Sequence, residues 1–448
     1  YTAWSSPVAS QNLLAFSPNT VTTRFYQYLY TGTTTPTAYQ SIDPTTNSFA
    51  KGKGYMIRVA NNWSSSTPTV FNGQFAGVPN NGIVKTPVGI GYNLIGNPYP
   101  SPIDANMVLL RNPKIDALYY WTHNVPQDAS YVAQTNYASY TILGGTAAIA
   151  GGATPNDYIQ TGQGFFVQAR EAVDFELGNE YRLDAAVSTQ FFKTSSINKD
   201  ITTDRSRIWL GLKNVNETGY NQILVGYMNG ASNAVDSNID ARVLQTDKTI
   251  LYNLVNDEAY VIQGRALPFN DTDVVALGFK ALEKGTYVIN LDNVDGIFSA
   301  QDIFIKDKFI GATHNLKESD YSFISEAGDF KNRFELIYKK ISTDIVSNEK
   351  EVLVFKNNGE IVINSSSEKI TNIQVFDIQG KILFQENLKE NEYRIKGLTV
   401  SNQALIVKIQ LLNGEKISKK IRNNITSFLS WSSKLLGVVF SPHLFVFS

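Results

Sequence analysis

The sequence predicts an all-β protein made of tandem antiparallel β-sandwiches, and three observations support this fold class. Aromatic residues make up 12% of the 448 residues, and aromatic side chains favour strands. Short β-branched or aromatic runs such as Gly54-Tyr-Met-Ile-Arg-Val59 are bounded by Gly, Asn, Pro or Asp, as strands usually are. The strongest helical stripe, at residues 104–110, covers about two turns.

Composition excludes several classes of function. The chain contains no Cys, which excludes disulfides, thiolate metal sites and thiol catalysis. Its formal net charge is −1, so it lacks the basic excess that is typical of nucleic-acid-binding proteins. No stretch reaches the roughly 18 apolar residues that a membrane-spanning helix needs. We therefore expect no cofactor, no nucleic-acid partner and no transmembrane helix.

Charge density divides the chain into segments. About a tenth of residues 1–190 are charged, compared with more than a quarter of residues 350–422. Because one fold rarely changes its surface chemistry so sharply, the difference indicates separate domains. We predict a β-rich domain at 1–186 and a second β-sandwich at 187–340. A polar linker at 341–350 leads to a C-terminal module at 351–422.

An internal repeat occupies the first of these domains, because three motifs recur in the same order. The first set is Tyr1-Thr-Ala-Trp-Ser-Ser-Pro7, Arg24-Phe-Tyr-Gln-Tyr-Leu29 and Lys51-Gly-Lys-Gly-Tyr-Met-Ile57. The second set is Tyr92-Asn-Leu-Ile-Gly-Asn-Pro98, Ala117-Leu-Tyr-Tyr-Trp-Thr122 and Thr161-Gly-Gln-Gly-Phe-Phe-Val167. We therefore predict a duplicated β unit, with copies at about 1–88 and 89–186, in which residues 54–59 and 164–169 form equivalent strands.

The C-terminal module has the most regular pattern in the chain. Seven short alternating segments follow one another, at 352–356, 360–364, 370–377, 381–386, 392–395, 404–411 and 416–421. Asn-Gly pairs stand between strands, as at Asn413-Gly414, and they favour hairpin turns because both residues tolerate a positive φ. Seven strands in about 70 residues predict a small immunoglobulin-like sandwich.

Part of this module resembles a known family. The run Ile370-Thr-Asn-Ile-Gln-Val-Phe-Asp-Ile-Gln-Gly-Lys-Ile-Leu-Phe384 is similar to the central strands of the C-terminal sorting domain of type IX secretion cargo proteins in Bacteroidota. Leu398-Thr-Val-Ser-Asn-Gln-Ala-Leu-Ile-Val-Lys408 and Asn413-Gly-Glu-Lys-Ile-Ser-Lys-Lys420 resemble the flavobacterial variant called type C.

The resemblance implies export across the outer membrane to the cell surface or the medium. It also implies recognition of residues 351–422 by the type IX translocon and its shuttle protein. The candidate residues for this signal are Asp377, Gly380, Lys381, Asn413, Gly414, Lys419 and Lys420.

Both ends of the chain depart from a complete cargo protein of this family. Residues 423–448 are apolar, with Lys434 as their one charged residue, whereas the family ends within a few residues of the last strand. We interpret them as an atypical tail without a selected role; a buried last strand and an interface segment are the alternatives. The start at Tyr1 shows no signal-peptide pattern, so we expect either that a signal peptide was removed or that the chain is a piece of a longer protein, and the start of the first repeat copy at Tyr1 favours the second.

Candidate chemical sites are few. Catalysis by a Ser/His/Asp set would need one of the three histidines, His123, His314 or His443, and we predict that the chain is not an enzyme. The alternating oxygen ligands Asp236, Asn238 and Asp240, with Asp247 at the twelfth position, resemble a calcium loop. Ala241 replaces the turn glycine of such a loop, so we expect a solvated turn without metal.

Trp63 lies in the polar run Asn61-Asn-Trp-Ser-Ser-Ser66 and is the best candidate for an exposed aromatic that stacks on a ligand such as a surface glycan. Our leading hypothesis is a non-catalytic region of a secreted or surface protein, with adhesive or structural β modules and a C-terminal export signal. The alternative is a carbohydrate-binding accessory region of a secreted enzyme whose catalytic domain lies upstream.

Overall fold

The computed structural model describes most of the chain. The described residues are 1–29, 39–64, 66–67, 69–122, 136–149, 151–184, 205–215, 220–244, 248–339, 352–357, 360–365, 368–398 and 404–422. Of these, about 53% lie in strands and 6% in helices, which confirms the all-β class. The predicted linker at 341–350 and tail at 423–448 lie outside this set. The contacts divide the chain after Lys340 into two units.

The first copy of the repeat forms a four-stranded antiparallel sheet. Its strands are β1 (Thr2–Trp4), β2 (Phe25–Tyr28), β3 (Tyr39–Ser41) and β4 (Tyr55–Ile57), in the order β1-β4-β2-β3. The short helix α1 (Leu13–Phe16) follows β1 and begins where the Asn12 side chain accepts a hydrogen bond from the backbone N–H of Ala15, as N-cap residues do.

The second copy has the same plan with additions. Its strands are β5 (Val84–Val88), β6 (Gly91–Gly96), β7 (Ile103–Asp104), β8 (Ile115–Trp121), β9 (Tyr137–Thr141), β10 (Gly144–Thr146), β11 (Tyr158–Ile159), β12 (Gly164–Ala169) and β13 (Val173–Leu177). The main sheet has the order β10-β9-β8-β12-β6, and β5 pairs with β13. Because of this pairing β5 belongs to the second copy, so the predicted boundary between the copies at residue 88 lies too far along the chain. Helix α2 (Ala105–Arg111), capped by Asp104, occupies the place of α1.

Strand register relates the two copies residue by residue. In the first copy Met56 of β4 lies opposite Ala3 of β1 and Tyr26 of β2. In the second copy Phe166 of β12 lies opposite Leu94 of β6 and Tyr119 of β8. These are corresponding positions of the repeated motifs, so the two predicted strands at 54–59 and 164–169 occupy equivalent places.

The two copies contact each other reciprocally. Trp4 of the first copy forms a β-bridge with Gln163 of the second, and Ile95 of the second forms the corresponding bridge with Lys53 of the first. Such an exchange of the same contact in both directions is the property of a two-fold interface between identical subunits. The duplication therefore folds as a pseudo-dimer within one chain.

The glycines of the two Gly-x-Gly motifs lie where the backbones of the two copies contact each other. We call this place the crossing. A Cβ atom at Gly54 would come within 2.5 Å of the Ile95 carbonyl oxygen, and one at Gly164 within 2.9 Å of the Ala3 carbonyl carbon. Only glycine allows backbones to approach so closely. The motifs serve the contact between the copies.

The described strands between Arg205 and Ile337 form one large sheet. Its strands are β14 (Arg205–Asn214), β15 (Tyr220–Met228), β16 (Ala241–Arg242), β17 (Ile250–Val255), β18 (Glu258–Ala266), β19 (Val274–Ala281), β20 (Gly285–Val294), β21 (Phe304–Asp307), β22 (Ala312–Asn315), β23 (Tyr321–Ser325) and β24 (Gly328–Ile337). The order is β22-β21-β24-β19-β17-β18-β15-β14-β20-β23, with β16 beside β18. Phe323 on the last strand packs against Phe334 of β24, with ring centroids 4.9 Å apart, so the sheet folds back around one core.

The segments predicted as two separate domains, 1–186 and 187–340, belong to one compact unit. Trp209 and Leu224 of the large sheet share a buried cluster with Leu143 and Phe166 of the second copy. The Trp209 indole N–H also donates to the Gly145 carbonyl oxygen at 2.9 Å. Charge density misled the sequence analysis here, because it reports surface chemistry and carries no information about a shared core.

The C-terminal unit contains seven strands at the predicted positions. They are β25 (Val352–Asn357), β26 (Glu360–Ser365), β27 (Ile370–Phe376), β28 (Ile382–Glu390), β29 (Glu392–Ile395), β30 (Ala404–Leu411) and β31 (Lys416–Arg422). One sheet has the order β25-β26-β29 and the other β28-β27-β30-β31, and both contribute to a separate buried cluster. Neither α-helix in the described part of the chain has the length and apolarity to cross a membrane.

Candidate functional site

The loop at residues 232–240, which contains the calcium-like spacing, is held together by hydrogen bonds between its carboxylates and its own backbone. The Asp236 carboxylate accepts hydrogen bonds from the backbone N–H and the hydroxyl of Ser232, at 2.5 and 2.9 Å. The two oxygens of Asp240 accept from the backbone N–H groups of Asp236 and Gly264, both at 2.6 Å. These carboxylates therefore tie the loop to itself and to strand β18.

The prediction of a solvated turn is wrong for two of these residues. Asn238 and Asp240 are buried, at 8% and 2% exposure, and Asn238 takes a positive φ of 64°. Burial raises the pKa of Asp240 to about 7. Asp247 lies outside the described residues, within which no group of three or more His, Cys, Asp or Glu side chains is placed to hold a metal ion.

Of the three histidines, His314 is the one that lies among the described residues. His314 lies on β22, where its Nε2 is 2.8 Å from the Ser319 carbonyl oxygen and 3.2 Å from the Ser319 hydroxyl. This contact joins the histidine to the turn that follows its own strand. His123 and His443 lie outside the described residues.

Asp377 and Gly380 build the turn between β27 and β28. Asp377 Oδ1 accepts hydrogen bonds from the backbone N–H groups of Gln379 and Lys381, both at 2.9 Å. Gly380 has a φ of 84°, which glycine adopts without strain. Lys381 is exposed at the end of this turn.

The second candidate turn lies at the other end of the same sheet. Asn413 Oδ1 accepts a hydrogen bond from the backbone N–H of Glu415 at 3.0 Å, and Gly414 has a φ of 85°. The strands between the two turns separate Asn413 and Gly414 from the Asp377 turn by the length of β30. The structure therefore does not bring the two turns together.

Lys419 and Lys420 point to opposite faces of β31. Lys419 lies opposite the buried Val407, on the face toward the core, while Lys420 lies opposite the exposed Ile406. Residues directly opposite each other in a sheet share a face. An inward-facing charge on an edge strand discourages pairing with another chain, and Lys420 is the one of the two that faces solvent.

An apolar row that the sequence analysis missed runs across the outer face of this sheet. Phe376 lies opposite both Ile382 and Ile406, and Ile406 lies opposite Lys420. Ile382 is 48% and Ile406 37% exposed. The Lys408 ammonium lies 4.9 Å from the centre of the Phe376 ring. We call Ile382, Phe376, Ile406 and Lys420 the outer row; no pattern within one strand predicts it, because its members come from four strands.

A surface cleft surrounds Trp63 in the first copy of the repeat. Its volume is about 360 Å³, within the range of small-ligand pockets. Its apolar wall contains Phe16, Val59, Trp63, Val70 and Phe71, and its polar side chains are Ser17, Asn19, Asn62, Thr69, Asn72 and Gln74. None of the residues that line this Trp63 cleft carries a charged side chain.

The local sequence explains the position of the cleft. Helix α1 ends at Phe16, and strand β4 ends at Ile57, so the chain leaves both elements on the same side. The indole N–H of Trp63 donates to the Thr69 carbonyl oxygen at 3.2 Å, which fixes the ring in the wall. Trp63 is half-buried, whereas the polar run around it predicted an exposed side chain; the difference arises because the ring forms part of the cleft wall.

Two families match the chain. Residues 1–338 match a family described as Domain of unknown function (DUF8693). The chain belongs to the DUF8693 family. The DUF8693 match covers both segments that share the buried cluster around Trp209. Residues 341–423 match a second family, Domain of unknown function (DUF8694), and no curated protein matches the chain.

Proposed function

We propose that the C-terminal unit is a signal for type IX secretion and that the DUF8693 unit is a non-catalytic adhesive or structural module of a secreted or surface protein. The resemblance of residues 370–384 and 398–420 to sorting domains motivates the first part. A C-terminal unit with its own buried cluster of Val, Ile and Leu side chains suits a signal that travels with unrelated cargo.

The outer row is the observation that supports recognition by a partner. Two of its apolar side chains are more than one-third exposed, on a sheet face that otherwise carries polar pairs such as Gln374 with Gln385. Exposed apolar residues rimmed by polar ones mark protein interaction sites. Lys420 at one end of the row and Lys408 beside Phe376 suit an acidic surface on the translocon or its shuttle protein.

A reporter fusion tests the export proposal. Residues 339–422 would follow a periplasmic reporter in a bacterium with an active type IX system, and the reporter would be assayed at the cell surface and in the medium. We expect export that depends on the translocon. Retention in the periplasm, while an established sorting domain exports the same reporter, would refute the assignment.

Substitutions in the row test the docking surface. Ile406→Glu places a carboxylate in the row at a position that is already exposed, so the unit should still fold while export falls about tenfold or more. Lys416→Gln is the matched control, because it lowers the net charge by one unit, as Ile406→Glu does, and Lys416 is exposed on strand β31 opposite Gln410, away from the row. If both variants lose export equally, the unit's overall charge matters and the row does not.

A further inference from the structure

We infer that the Trp63 cleft binds a neutral carbohydrate, with one sugar ring against the indole and its hydroxyl groups on the surrounding amides. This inference is independent of the export proposal, because it concerns the DUF8693 unit alone. Three properties of the cleft lead to it: an aromatic wall, a set of unpaired amides and the absence of lining charge.

The aromatic wall is accessible and is held by contacts within the first copy of the repeat. Trp63 is held by its bond to the Thr69 carbonyl oxygen, and Phe71, 39% exposed, packs edge-on against Phe16 with centroids 5.5 Å apart. A Cβ atom at Gly73 would come within 2.7 Å of the Phe71 ring, so glycine lets the loop close behind it. An aromatic face that is fixed before binding loses little entropy when a ligand covers it.

The polar wall suits hydroxyl groups. Asn19, Asn62, Asn72 and Gln74 are exposed, and within the described chain their side chains form no hydrogen bonds to other residues. Each amide offers one carbonyl acceptor and two N–H donors. A sugar hydroxyl both donates and accepts, so the same amide can pair with it in either direction.

Charge selects the ligand class. The cleft lining holds no Lys, Arg, Asp or Glu, and Arg58, which donates to the Asn61 side-chain oxygen, is not among the residues that line the cleft. An anionic ligand such as a sulfated or uronic acid polymer would find no cation in the cleft lining to compensate its charge. A neutral hexose or pentose polymer matches both walls.

The two copies of the repeat differ at the surface beside the C-terminal end of their helix, which is covered in the second copy and open in the first. In the second copy, the end of helix α2 is covered by strand β13, where the Asn112 side chain exchanges two hydrogen bonds with the Glu176 backbone, at 2.9 and 2.8 Å. In the first copy the segment around Trp63 lies beside the end of α1 and leaves a cleft. The two copies therefore differ at the place where one of them has an accessible aromatic.

The test measures binding of the full chain to a panel of soluble neutral polysaccharides, including glucans, mannans, xylans and galactans. Isothermal titration calorimetry gives the dissociation constant, and affinity electrophoresis screens the panel. For a polysaccharide that binds, Trp63→Ala should raise the dissociation constant about tenfold or more, which is about 1.4 kcal/mol. The double variant Asn72→Ala/Gln74→Ala, which alters only exposed side chains, should weaken binding severalfold.

Phe309→Ala is the control, because it removes an aromatic that is 66% exposed in the turn after β21, outside the cleft. It should leave binding unchanged. Binding to no neutral polysaccharide would overturn the inference, as would unchanged affinity in the Trp63 and amide variants. Binding confined to acidic polymers and abolished by salt would also overturn it, since the cleft has no cation. Export of the reporter fusion is unaffected by any of these outcomes.

Discussion

The ion pair between Asp307 and Arg333 is the most deeply buried in the described part of the chain, and its removal should strongly destabilise the DUF8693 unit. The side chains are 0% and 5% exposed, with Arg333 Nη2 2.9 Å from Asp307 Oδ2. Tyr321 donates its hydroxyl to the same carboxylate at 3.1 Å. The guanidinium also lies 4.5 Å from the Phe323 ring centre and 4.9 Å from that of Phe334.

The magnitude follows from what each substitution leaves behind. Arg333→Met keeps the apolar stem but leaves the Asp307 carboxylate buried without its cation, which should lower the free energy of unfolding by about 3–5 kcal/mol. Asp307→Asn leaves the cation among aromatic rings, with a similar loss expected. The double variant removes both charges, so its loss should be well below the sum of the two single losses.

Urea denaturation, followed by tryptophan fluorescence and near-ultraviolet circular dichroism, measures these free energies. The exposed pair Lys284 and Glu326 is the control, because its nitrogen and oxygen are only 2.6 Å apart yet the side chains are 68% and 66% exposed. Lys284→Ala should cost less than about 1 kcal/mol. Equal losses in the control and in Arg333→Met, or strictly additive losses in the double variant, would refute the argument from burial.

Three further predictions concern the crossing, the buried loop and the C-terminal turn. Gly96→Ala would place a Cβ atom 2.1 Å from the Ser5 Cβ and should cost roughly 1–3 kcal/mol in thermal or urea unfolding; Gly285→Ala, whose nearest contact would be 3.6 Å, should cost clearly less, and equal costs would contradict the close approach. The pKa of Asp240 is raised from 3.8 to about 7 by burial. Between these pH values the folded chain therefore binds a proton at Asp240 that the unfolded chain has lost. The free energy of unfolding should therefore contain a component that falls as pH rises from about 4 to 7. Asp240→Asn should lack this component when the two pH profiles are subtracted, and parallel profiles would contradict the shift. Gly380→Val, at a φ of 84° with open space around the Cβ position, should destabilise the C-terminal unit by about 1–3 kcal/mol through backbone strain. Gly380→Asn should cost less, and the DUF8693 unit should melt as before in both variants.

Local patterns account for what the sequence predicted correctly. The seven strands of the C-terminal unit were predicted to within a few residues because alternation and turn residues are both local signals. The largest difference is β28, which extends to Glu390 where the sequence predicted an end at 386. The repeat was visible because the same side chains recur at places with the same register.

Long-range packing accounts for what the sequence missed. Asp307 and Arg333 each occupy an ordinary position in an alternating strand, and only the pairing of β21 with β24 brings Asp307 beside Phe334, next to Arg333. The shared cluster around Trp209 and the outer row have the same origin, since a face is buried or exposed according to what covers it. The periodicity of one segment does not indicate which other segment will cover its face.

The duplication links the fold to the proposed binding site. A reciprocal contact needs the same glycines and the same strand order in both copies, which constrains the crossing at Gly54 and Gly164 equally. The surfaces away from the crossing carry no such constraint, because a change there alters one copy without disturbing the other. Strand β13 closes that surface in the second copy, and the α2 C-cap residue Asn112 gains its hydrogen bonds from it. In the first copy this surface stays open as a cleft that Trp63 lines, and the nearby amide side chains form no hydrogen bonds within the described chain, which leaves both available to a ligand.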